Sequence, residues 1–452
     1  MQISFYGATG TVTGSKYLFD DGAAATLVDC GLFQGFKQLR LRNWQPLPFD
    51  PKRIASVVLT HAHIDHSGCL PLLVRNGFSG PIHCTNATKD LCEILLPDAA
   101  HLQEEEARYA NKRSLSKHKP ALPLFTKEDA ENALRHLHAV EFDTPVRLSE
   151  VSAARFLPSG HILGAAMVMI ESADKQVLFS GDLGRPNDPV MRAPTPVTVA
   201  DVLVLESTYG DRRHSQANPA EELGAHLTRA VTRGGVVVIP AFAVGRAQTL
   251  LHLMARLKSA GKLTGVPIYL NSPMAVDATN IFHAYQSQHR LNVEECAAAC
   301  RVAEFVNTPE ASKALNAKQG PMIIVSASGM ATGGRVVHHI KQFAPDPKNL
   351  ILFSGFQAGG TRGANMVGGA ETVRIHGLDI PIRAEVANLE TLSAHADYAE
   401  IIDWSKSFRQ APGRIFLTHG EPAASDGLRK HIESVLGWQC SVPEYRETVS
   451  IP

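Results

Sequence analysis

The chain has 452 residues, with 44 lysines and arginines balanced by 44 aspartates and glutamates. This length favours two domains, each able to bury a substantial hydrophobic core. The balanced charge excludes a strongly basic or acidic chain, so a nucleic-acid, membrane or acidic partner would have to be met by a local patch.

Seven cysteines are scattered along the sequence without a Cys-x-x-Cys pair. Their odd number and spacing argue against a disulfide framework and against a thiolate zinc site. No apolar run approaches the roughly 20 residues needed to span a bilayer, and the N-terminal residues do not resemble a signal peptide. We therefore expect a cytoplasmic protein that does not engage a membrane.

The first 200 residues alternate short β-branched runs with turns, which is typical of strands. The predicted strands include QISFYGA, ATLVDCG, ASVVLTH, ARFLPSG, QVLFSGD and DVLVLES. Residues 208–375 show the strand-then-helix rhythm of an α/β domain with a parallel sheet, for example in GGVVVIPAFAVG and GPMIIVSASG. After residue 375 the sequence pattern of the first 200 residues returns, in LETLSAHADYAEIIDW and RIFLTHGEP.

The segment THAHIDH, residues 60–66, follows one of these strands directly. His61 and His63 are two residues apart in extended backbone, so their side chains project to one side, and Asp65 and His66 follow as the chain turns. Imidazole and carboxylate are ligands for zinc and similar divalent ions, and four such groups exceed what one tetrahedral ion with an open position would take locally. The spacing favours two ions over the alternative, a segment that merely caps a helix.

Further polar residues follow predicted strands in the same way. Each alone is more typical of a turn, but together with the first cluster they complete two coordination spheres. These residues are Asp29, His161, Asp182 and His419.

The succession THAHIDH, GHILG, GDLG and THGE resembles the metallo-β-lactamase superfamily. Within it, LESTYG, LSAHAD and LTHGEP resemble the three further motifs of the β-CASP nucleases, a group that includes the RNA-cleaving subunit of the pre-mRNA 3′-end cleavage and polyadenylation factor and its bacterial and archaeal relatives. The resemblance covers essentially the whole chain. It implies a four-layer αββα core with an inserted α/β β-CASP domain that folds over the metal cleft.

The ligand order agrees with such an insertion, because six ligand positions precede residue 183 and His419 lies far beyond them. We predict a first part of the metallo-β-lactamase domain over residues 1–207, the β-CASP domain over 208–375, and the rest of the metallo-β-lactamase domain over 376–452.

The resemblance also implies a role for each site residue. His61, His63 and His161 would hold one zinc ion, Asp65, His66 and His419 a second, and Asp182 would bridge them, while Asp29 orients a ligand imidazole. Manganese or iron in place of zinc stays open, because these ligands suit several ions.

For catalysis, His395 would protonate the leaving oxygen with Glu206 as its orienting partner, and we count Asp65 with them among the catalytic residues. A buried salt bridge is the alternative role for Glu206 and His395.

The segment SASGMATGGR, residues 326–335, is a glycine-rich loop after an apolar strand. It could hold a substrate phosphate, although a tight strand-to-helix turn explains the glycines equally well. The resemblance favours phosphate binding by the loop, with Arg246 as a second basic candidate; the loop residues are Ser328, Gly329, Thr332, Gly333 and Arg335. Basic stretches at 37–42 and 108–119 could follow a nucleic-acid backbone, but solvated helix faces are commoner.

We expect a zinc-dependent ribonuclease that hydrolyses single-stranded RNA in RNA processing or decay, as an endonuclease, with 5′–3′ exonuclease activity left open. The alternatives are a small-molecule ester or thioester hydrolase, a DNA nuclease of the same group, and a non-catalytic RNA-binding subunit. DNA-cleaving relatives typically carry valine where this chain has His419, and non-catalytic relatives have degraded ligands. A homodimer and membership of an RNA-processing complex both stay open.

Overall fold

The structure, a computed structural model, describes residues 1–114 and 116–451. Up to residue 213 the strands are β1 (Gln2–Phe5), β2 (Tyr17–Asp20), β3 (Ala25–Val28), β4 (Ile54–Val58), β5 (Ile82–Thr85), β6 (Leu137–Val140), β7 (Val146–Arg147), β8 (Ser152–Pro158), β9 (Ala166–Ser172), β10 (Lys175–Phe179) and β11 (Val202–Glu206). The helices of this part are α1 (Lys37–Arg42), α2 (Ile64–Ser67), α3 (Leu70–Arg75), α4 (Asn86–Lys112) and α5 (Lys127–Leu134).

From residue 214 to 394 the chain alternates helices with short strands. The helices are α6 (Pro219–Thr232), α7 (Arg246–Ser259), α8 (Pro273–Ala284), α9 (Val293–Arg301), α10 (Pro309–Ala317), α11 (Val336–Phe343) and α12 (Arg362–Val367). The strands are β12 (Val236–Pro240), β13 (Ile268–Leu270), β14 (Glu304–Phe305), β15 (Met322–Ser326), β16 (Leu350–Ser354), β17 (Thr372–Ile375), β18 (Leu378–Pro381) and β19 (Glu385–Leu389). The last part contains α13 (Tyr398–Ser405), β20 (Arg414–Thr418), α14 (Pro422–Leu436) and β21 (Thr448–Ser450).

The chain divides into two compact units. The first comprises residues 1–188, 193–213 and the chain from 395 onward, and the second comprises 189–192 and 214–394. The second unit extends past the predicted limit of 375 because β19 pairs in parallel with β16 of the same sheet. Its start falls after 208 because Tyr209 forms a bridge with Asp397 of the first unit.

Two sheets pack face to face in the first unit. One has the strand order β21-β1-β2-β3-β4-β5-β6 and the other β20-β11-β10-β9-β8-β7. Aromatic side chains join them: the ring of Phe5 lies 5.2 Å from that of Phe416, and the ring of Tyr17 lies 5.9 Å from that of Phe179. These apolar residues alternate with outward-facing ones along each strand, so their burial between the sheets forms the core.

Helices cover the outer face of each sheet. Helices α13 and α14 supply Ile401, Ile402 and Leu428 to a buried cluster on the second sheet, and α4 packs along β5 and β6 of the first. The result is the predicted αββα sandwich. Among the described residues, no helix combines the length and the apolar character needed to cross a bilayer.

The second unit is built on a parallel sheet of order β14-β13-β15-β12-β16-β19. Apolar clusters cover both faces: α6, α7, α8 and α9 contribute to one, and α10, α11 and α12 to the other. Strands such as β12 (VVVIP) and β15 (MIIVS) are buried along their whole length, as a parallel sheet between two helical layers requires. The predicted α/β fold class is therefore confirmed for both parts of the chain.

Candidate metal centre

The predicted metal ligands lie at the carboxyl ends of strands in the first unit. Strand β11 pairs in parallel with β20 so that Glu206 lies beside Thr418, which places His419 one residue beyond. Strand β10 runs parallel to β11 and ends shortly before Asp182. Because the carboxyl ends of parallel strands meet at one edge of a sheet, residues separated by more than 200 positions converge there.

The THAHIDH turn is held against the end of the neighbouring strand β3 by backbone hydrogen bonds. The amide of Cys30 donates to the carbonyl of His66 at 2.7 Å, and the amide of Ser15 donates to the carbonyl of Asp65 at 2.9 Å. Gly31 approaches this turn so closely that a Cβ there would lie 1.5 Å from the Asp65 carbonyl oxygen. A residue without a side chain is therefore required at this point.

Three imidazoles form the first group of donor atoms. His63 Nδ1 lies 3.2 Å from His61 Nε2 and 3.1 Å from His161 Nε2. Asp182 Oδ2 lies 3.4 Å from both His61 Nε2 and His161 Nε2. Four ligand-type atoms thus face one another within 4.8 Å.

Asp65, His66 and His419 form the second group. His66 Nε2 lies 3.2 Å from His419 Nε2, which lies 3.4 Å from Asp65 Oδ2. The other carboxylate oxygen of Asp182, Oδ1, lies 3.2 Å from His66 Nε2 and 3.6 Å from His419 Nε2. Asp182 therefore presents one oxygen to each group.

This donor set fits two metal ions. Ligand nitrogens about 2.0–2.1 Å from a tetrahedral ion are separated by roughly 3.3 Å, close to the spacings within both groups. Asp182 Oδ1 is buried and accepts no hydrogen bond from the described residues, although two ring nitrogens surround it. A buried carboxylate oxygen that accepts no hydrogen bond and faces ring nitrogens is what a cation would satisfy.

The pKa values agree with neutral ligands in the first group. Burial lowers the pKa of His61 to about 3 and that of His63 to about 4, and burial likewise holds the pKa of His161 well below its usual value. In the second group burial acts against charge on His66, but the carboxylates of Asp182 and Asp29 outweigh it and raise its pKa well above the ordinary value. The first group thus offers three neutral imidazoles at neutral pH.

Hydrogen bonds behind the imidazoles fix which ring nitrogen faces the centre. His66 donates from Nδ1 to Asp29 Oδ2 at 2.7 Å, and Asp29 also accepts from the amide and hydroxyl of Thr60. His419 Nδ1 lies 3.1 Å from the hydroxyl oxygen of Thr208, which in turn donates to the His419 carbonyl. Both contacts leave Nε2 directed at the centre.

His395 and Glu206 form a pair beside the centre. His395 Nδ1 donates to Glu206 Oε1 at 3.0 Å, and His395 Nε2 lies 4.0 Å from Asp182 Oδ2. Glu206 is fully buried and also accepts from the amide of Leu183. Burial opposes charge on the imidazole, but the carboxylates of Glu206 and Asp182 outweigh it and raise the pKa of His395 to about 9.

Three family models match the chain. The metallo-beta-lactamase superfamily matches residues 9–223, the Beta-Casp domain matches 247–366, and the Zn-dependent metallo-hydrolase RNA specificity domain matches 379–443. A ribonuclease of Thermus thermophilus is 38% identical to the chain, and the alignment covers all of both proteins. The chain belongs to the β-CASP ribonuclease family of the metallo-β-lactamase superfamily. It is a metal-dependent hydrolase.

Other proteins are similar over most of this β-CASP chain. An RNase J-like protein of Methanocaldococcus jannaschii is 29% identical over 93% of the chain and 92% of its own length. The cleavage and polyadenylation specificity factor subunit 3-II of Arabidopsis thaliana is 28% identical over 97% of the chain and 69% of its own length. The crystal structure of a protein of unknown function from Enterococcus faecalis shares the fold, with a TM-score of 0.55, 13% identity and 99% coverage of both chains.

The predicted phosphate-binding residues of this β-CASP protein lie in the second unit. Ser328 and Thr332 have hydroxyl oxygens 2.9 Å apart, and Gly329 packs so closely on Phe242 that a Cβ would lie 2.9 Å from its backbone nitrogen. Gly333 lies in the same loop, and Arg246 begins α7 with a buried side chain. Arg335 donates to the side chain of Asn271 and to two backbone carbonyls, so its guanidinium group stabilises the structure of this unit.

The predicted basic stretches are surface segments. No residue of α1 is buried, and the exposed rings of Phe36 and Trp44 flank this helix. Arg42 of α1 covers the ring of Tyr445 at 4.2 Å. The second stretch runs from α4 past its end at Lys112, and Leu115 within it lies outside the described residues.

Sequence reasoning missed Thr60 and Thr208, the hydroxyl partners of the Asp29–His66 and His419 contacts. Their positions inside THAHIDH and ESTYG were a signal, since Thr60 lies two residues beyond the end of β4 and Thr208 two residues beyond the end of β11, each next to site residues. A threonine in such a place is too common to be singled out without the contacts.

Gly31→Ala should disturb the metal centre. The added Cβ would collide with the Asp65 carbonyl and displace the turn that carries Asp65 and His66, so we expect metal affinity to fall at least tenfold while the chain still folds. Metal content after dialysis against a weak chelator measures this. The matched control is Gly413→Ala, where a Cβ would lie 3.4 Å from its nearest neighbour; equal metal retention by the two variants would contradict the prediction.

The metal-free protein should lose stability on mild acidification. His61 and His63 have folded pKa values of about 3 and about 4 against 6.5 in the unfolded chain, so between pH 6.5 and 4 the unfolded state binds more protons and the free energy of unfolding falls. His66 and His395, whose pKa values are raised, are protonated in the folded state throughout this interval. Around pH 6.5 and above they act in the opposite direction, and well below pH 6.5 they are protonated in both states and add no slope.

We therefore expect a lower Tm at pH 5 than at pH 7 for chelator-treated protein, measured by circular dichroism. The double variant His61→Gln, His63→Gln should show a smaller decrease, because it lacks two imidazoles that must stay neutral. An undiminished decrease in that variant would show that other groups cause the effect.

Proposed function

We propose that this β-CASP ribonuclease hydrolyses phosphodiester bonds of single-stranded RNA with two zinc ions per chain. His61, His63 and His161 would bind one ion, Asp65, His66 and His419 the other, and Asp182 both. The observation that carries the proposal is the placement of the two Asp182 oxygens, each facing a separate group of imidazoles. Similarity to a ribonuclease over the whole chain supports RNA as the substrate.

Two bound cations would lower the pKa of the attacking water and neutralise charge on the scissile phosphodiester. The chain's own residues do the rest. Asp29 and Thr208 orient His66 and His419 so that Nε2 of each ring faces the centre, and Asp65 Oδ2 lies 3.4 Å from His419 Nε2. This arrangement is fixed before substrate arrives, so the site needs little reorganisation during reaction.

His395 is the proposed general acid and Glu206 its positioning residue. Because Nδ1 donates to Glu206, the proton on Nε2 points toward the side of Asp182, where a leaving oxygen would develop charge. The Glu206 carboxylate favours the imidazolium, and its own two oxygens are fixed by the amides of Leu183 and Thr208. A raised pKa keeps the acid protonated at neutral pH, while bound cations act in the opposite direction.

The substrate-binding part of the proposal rests on the second unit and on α1. The 326–335 loop and Arg246 would contact phosphates, while α1 with Phe36 and Trp44 offers cations beside exposed rings on which unpaired bases can stack. All seven cysteines are free thiols, which supports the cytoplasm as the compartment.

Cleavage of a labelled single-stranded RNA tests the proposal directly. The zinc-loaded protein should cleave it, chelator should abolish cleavage, and readded Zn²⁺ should restore it. Asp182→Asn should lose at least a hundredfold in rate because it weakens both ion sites at once. Full zinc content with no cleavage of RNA but turnover of a small ester or thioester would overturn the ribonuclease proposal.

His395→Ala should lower the single-turnover rate of RNA cleavage by about 10²–10⁴-fold, as expected for loss of a general acid, with unchanged zinc content. Glu206→Gln should shift the alkaline limb of the rate profile to lower pH, because the imidazolium loses its anionic partner. His101→Ala, an exposed histidine on α4, serves as the control. An unchanged rate for His395→Ala would show that His395 is not the general acid.

A further inference from the structure

A second kind of donor cluster lies on α8 and α9 of the second unit. Cys296 and Cys300 are four residues apart on α9, so they share one face of the helix. His283 of α8 lies against them, with Nδ1 3.3 Å from Cys296 Sγ. The three donor atoms lie within 4.8 Å of one another.

The surroundings of these three side chains suit a bound ion that is partly open to solvent. Cys296 is fully buried, Cys300 is half-buried and His283 is exposed, so the cluster runs from the interior to the surface. Helix α9 packs on α7 and α8, and Ala299 on its inner face belongs to the apolar cluster of this unit. The thiols therefore project from a fixed helix rather than from a loop.

We propose that His283, Cys296 and Cys300 form a separate Zn²⁺ site of the His–Cys–Cys type. Two thiolates and one imidazole are soft and borderline ligands that select zinc over magnesium, calcium or manganese, and the two thiolate charges balance the ion. Tetrahedral zinc would have its fourth position on the exposed side of the cluster, where water can enter.

Binding would release the two thiol protons, one from each cysteine. Burial raises the pKa of Cys296 to about 11, and burial also raises the pKa of Cys300, so without metal both thiols are neutral and unreactive. The ion would join α8 to α9, and by mass action it would stabilise the folded chain increasingly as its concentration rises above its dissociation constant.

This site differs chemically from the metal centre of the first unit. The seven residues of that centre carry only nitrogen and oxygen donors, whereas the α8–α9 cluster carries sulfur. Zinc–sulfur distances of about 2.3 Å are distinguishable from zinc–nitrogen and zinc–oxygen distances of about 2.0–2.2 Å. A sulfur signal therefore separates the proposed site from the metal centre of the first unit.

X-ray absorption at the zinc edge tests the proposal on full-length, reduced, zinc-saturated protein. We expect a sulfur shell in the wild type and one zinc ion fewer per chain in Cys296→Ser and Cys300→Ser, with the sulfur shell lost or halved. His283→Ala should weaken zinc binding at this site at least tenfold. Cys440→Ser, which removes a thiol outside the cluster, should match the wild type.

The double variant His61→Ala, His63→Ala separates this inference from the proposed catalytic centre, because it should lose cleavage while keeping the sulfur shell. Since the wild-type spectrum needs no substitution, misfolding of a variant leaves the main measurement intact. Absence of a sulfur shell in zinc-saturated wild type overturns the proposal, as does thiol titration showing Cys296 and Cys300 joined in a disulfide under reducing conditions. If His283→Ala kept the full zinc affinity, His283 would not be a ligand and the proposed three-ligand site would be wrong.

Discussion

The Asp182 carboxylate is the group on which the arrangement of the first unit depends. It is buried, and each of its oxygens lies among ring nitrogens that come from different strands. A buried carboxylate surrounded by convergent lone pairs is unfavourable unless protons or cations compensate. Together, the strands, the turn that carries His61 to His66, and strand β20 bring the predicted ligands to this one side chain.

The parallel pairing of β10, β11 and β20 provides that convergence. It fixes Glu206 beside Thr418, so that His419 reaches the centre although the whole second unit intervenes in sequence. His419 adopts a φ of +51° and Asp29 a φ of +58°, a region that most side chains avoid but that both residue types tolerate better than most. Backbone strain of this kind is held in place by hydrogen bonds from the surrounding sheet, such as the 3.0 Å bond from the Asp29 amide to the Val58 carbonyl.

Uncharged and acidic side chains form hydrogen bonds with three of these imidazoles and fix their orientation. Asp29 binds His66, Thr208 binds His419 and Glu206 binds His395. The same residue type is therefore kept neutral where burial outweighs the one carboxylate that faces it, as at His61, and is driven toward the charged form where two carboxylates face it, as at His395. Environment rather than residue identity therefore sets the charge of these two histidines.

The sequence by itself determined the fold class, the family and the set of polar residues at strand ends, because strand periodicity and motif order are local properties of a chain. It also supported an inserted domain, since His419 lies far from the other predicted ligands. It could not fix where that domain ends, because residues 376–394 join the second unit through tertiary contacts such as the pairing of β19 with β16. Nor could it separate the phosphate candidates from structural residues, as the hydrogen bonds of Arg335 show.

Only the tertiary structure decided which oxygen of Asp182 faces which group, that Thr60 and Thr208 support the ligands, and that His283 meets Cys296. The cysteines alone argued against a thiolate site because no Cys-x-x-Cys pair is present. A four-residue spacing on a helix, completed by a histidine from the helix before it, becomes visible only when α8 and α9 are packed together. Contacts between residues distant in sequence depend on how the elements pack, and no local pattern records that.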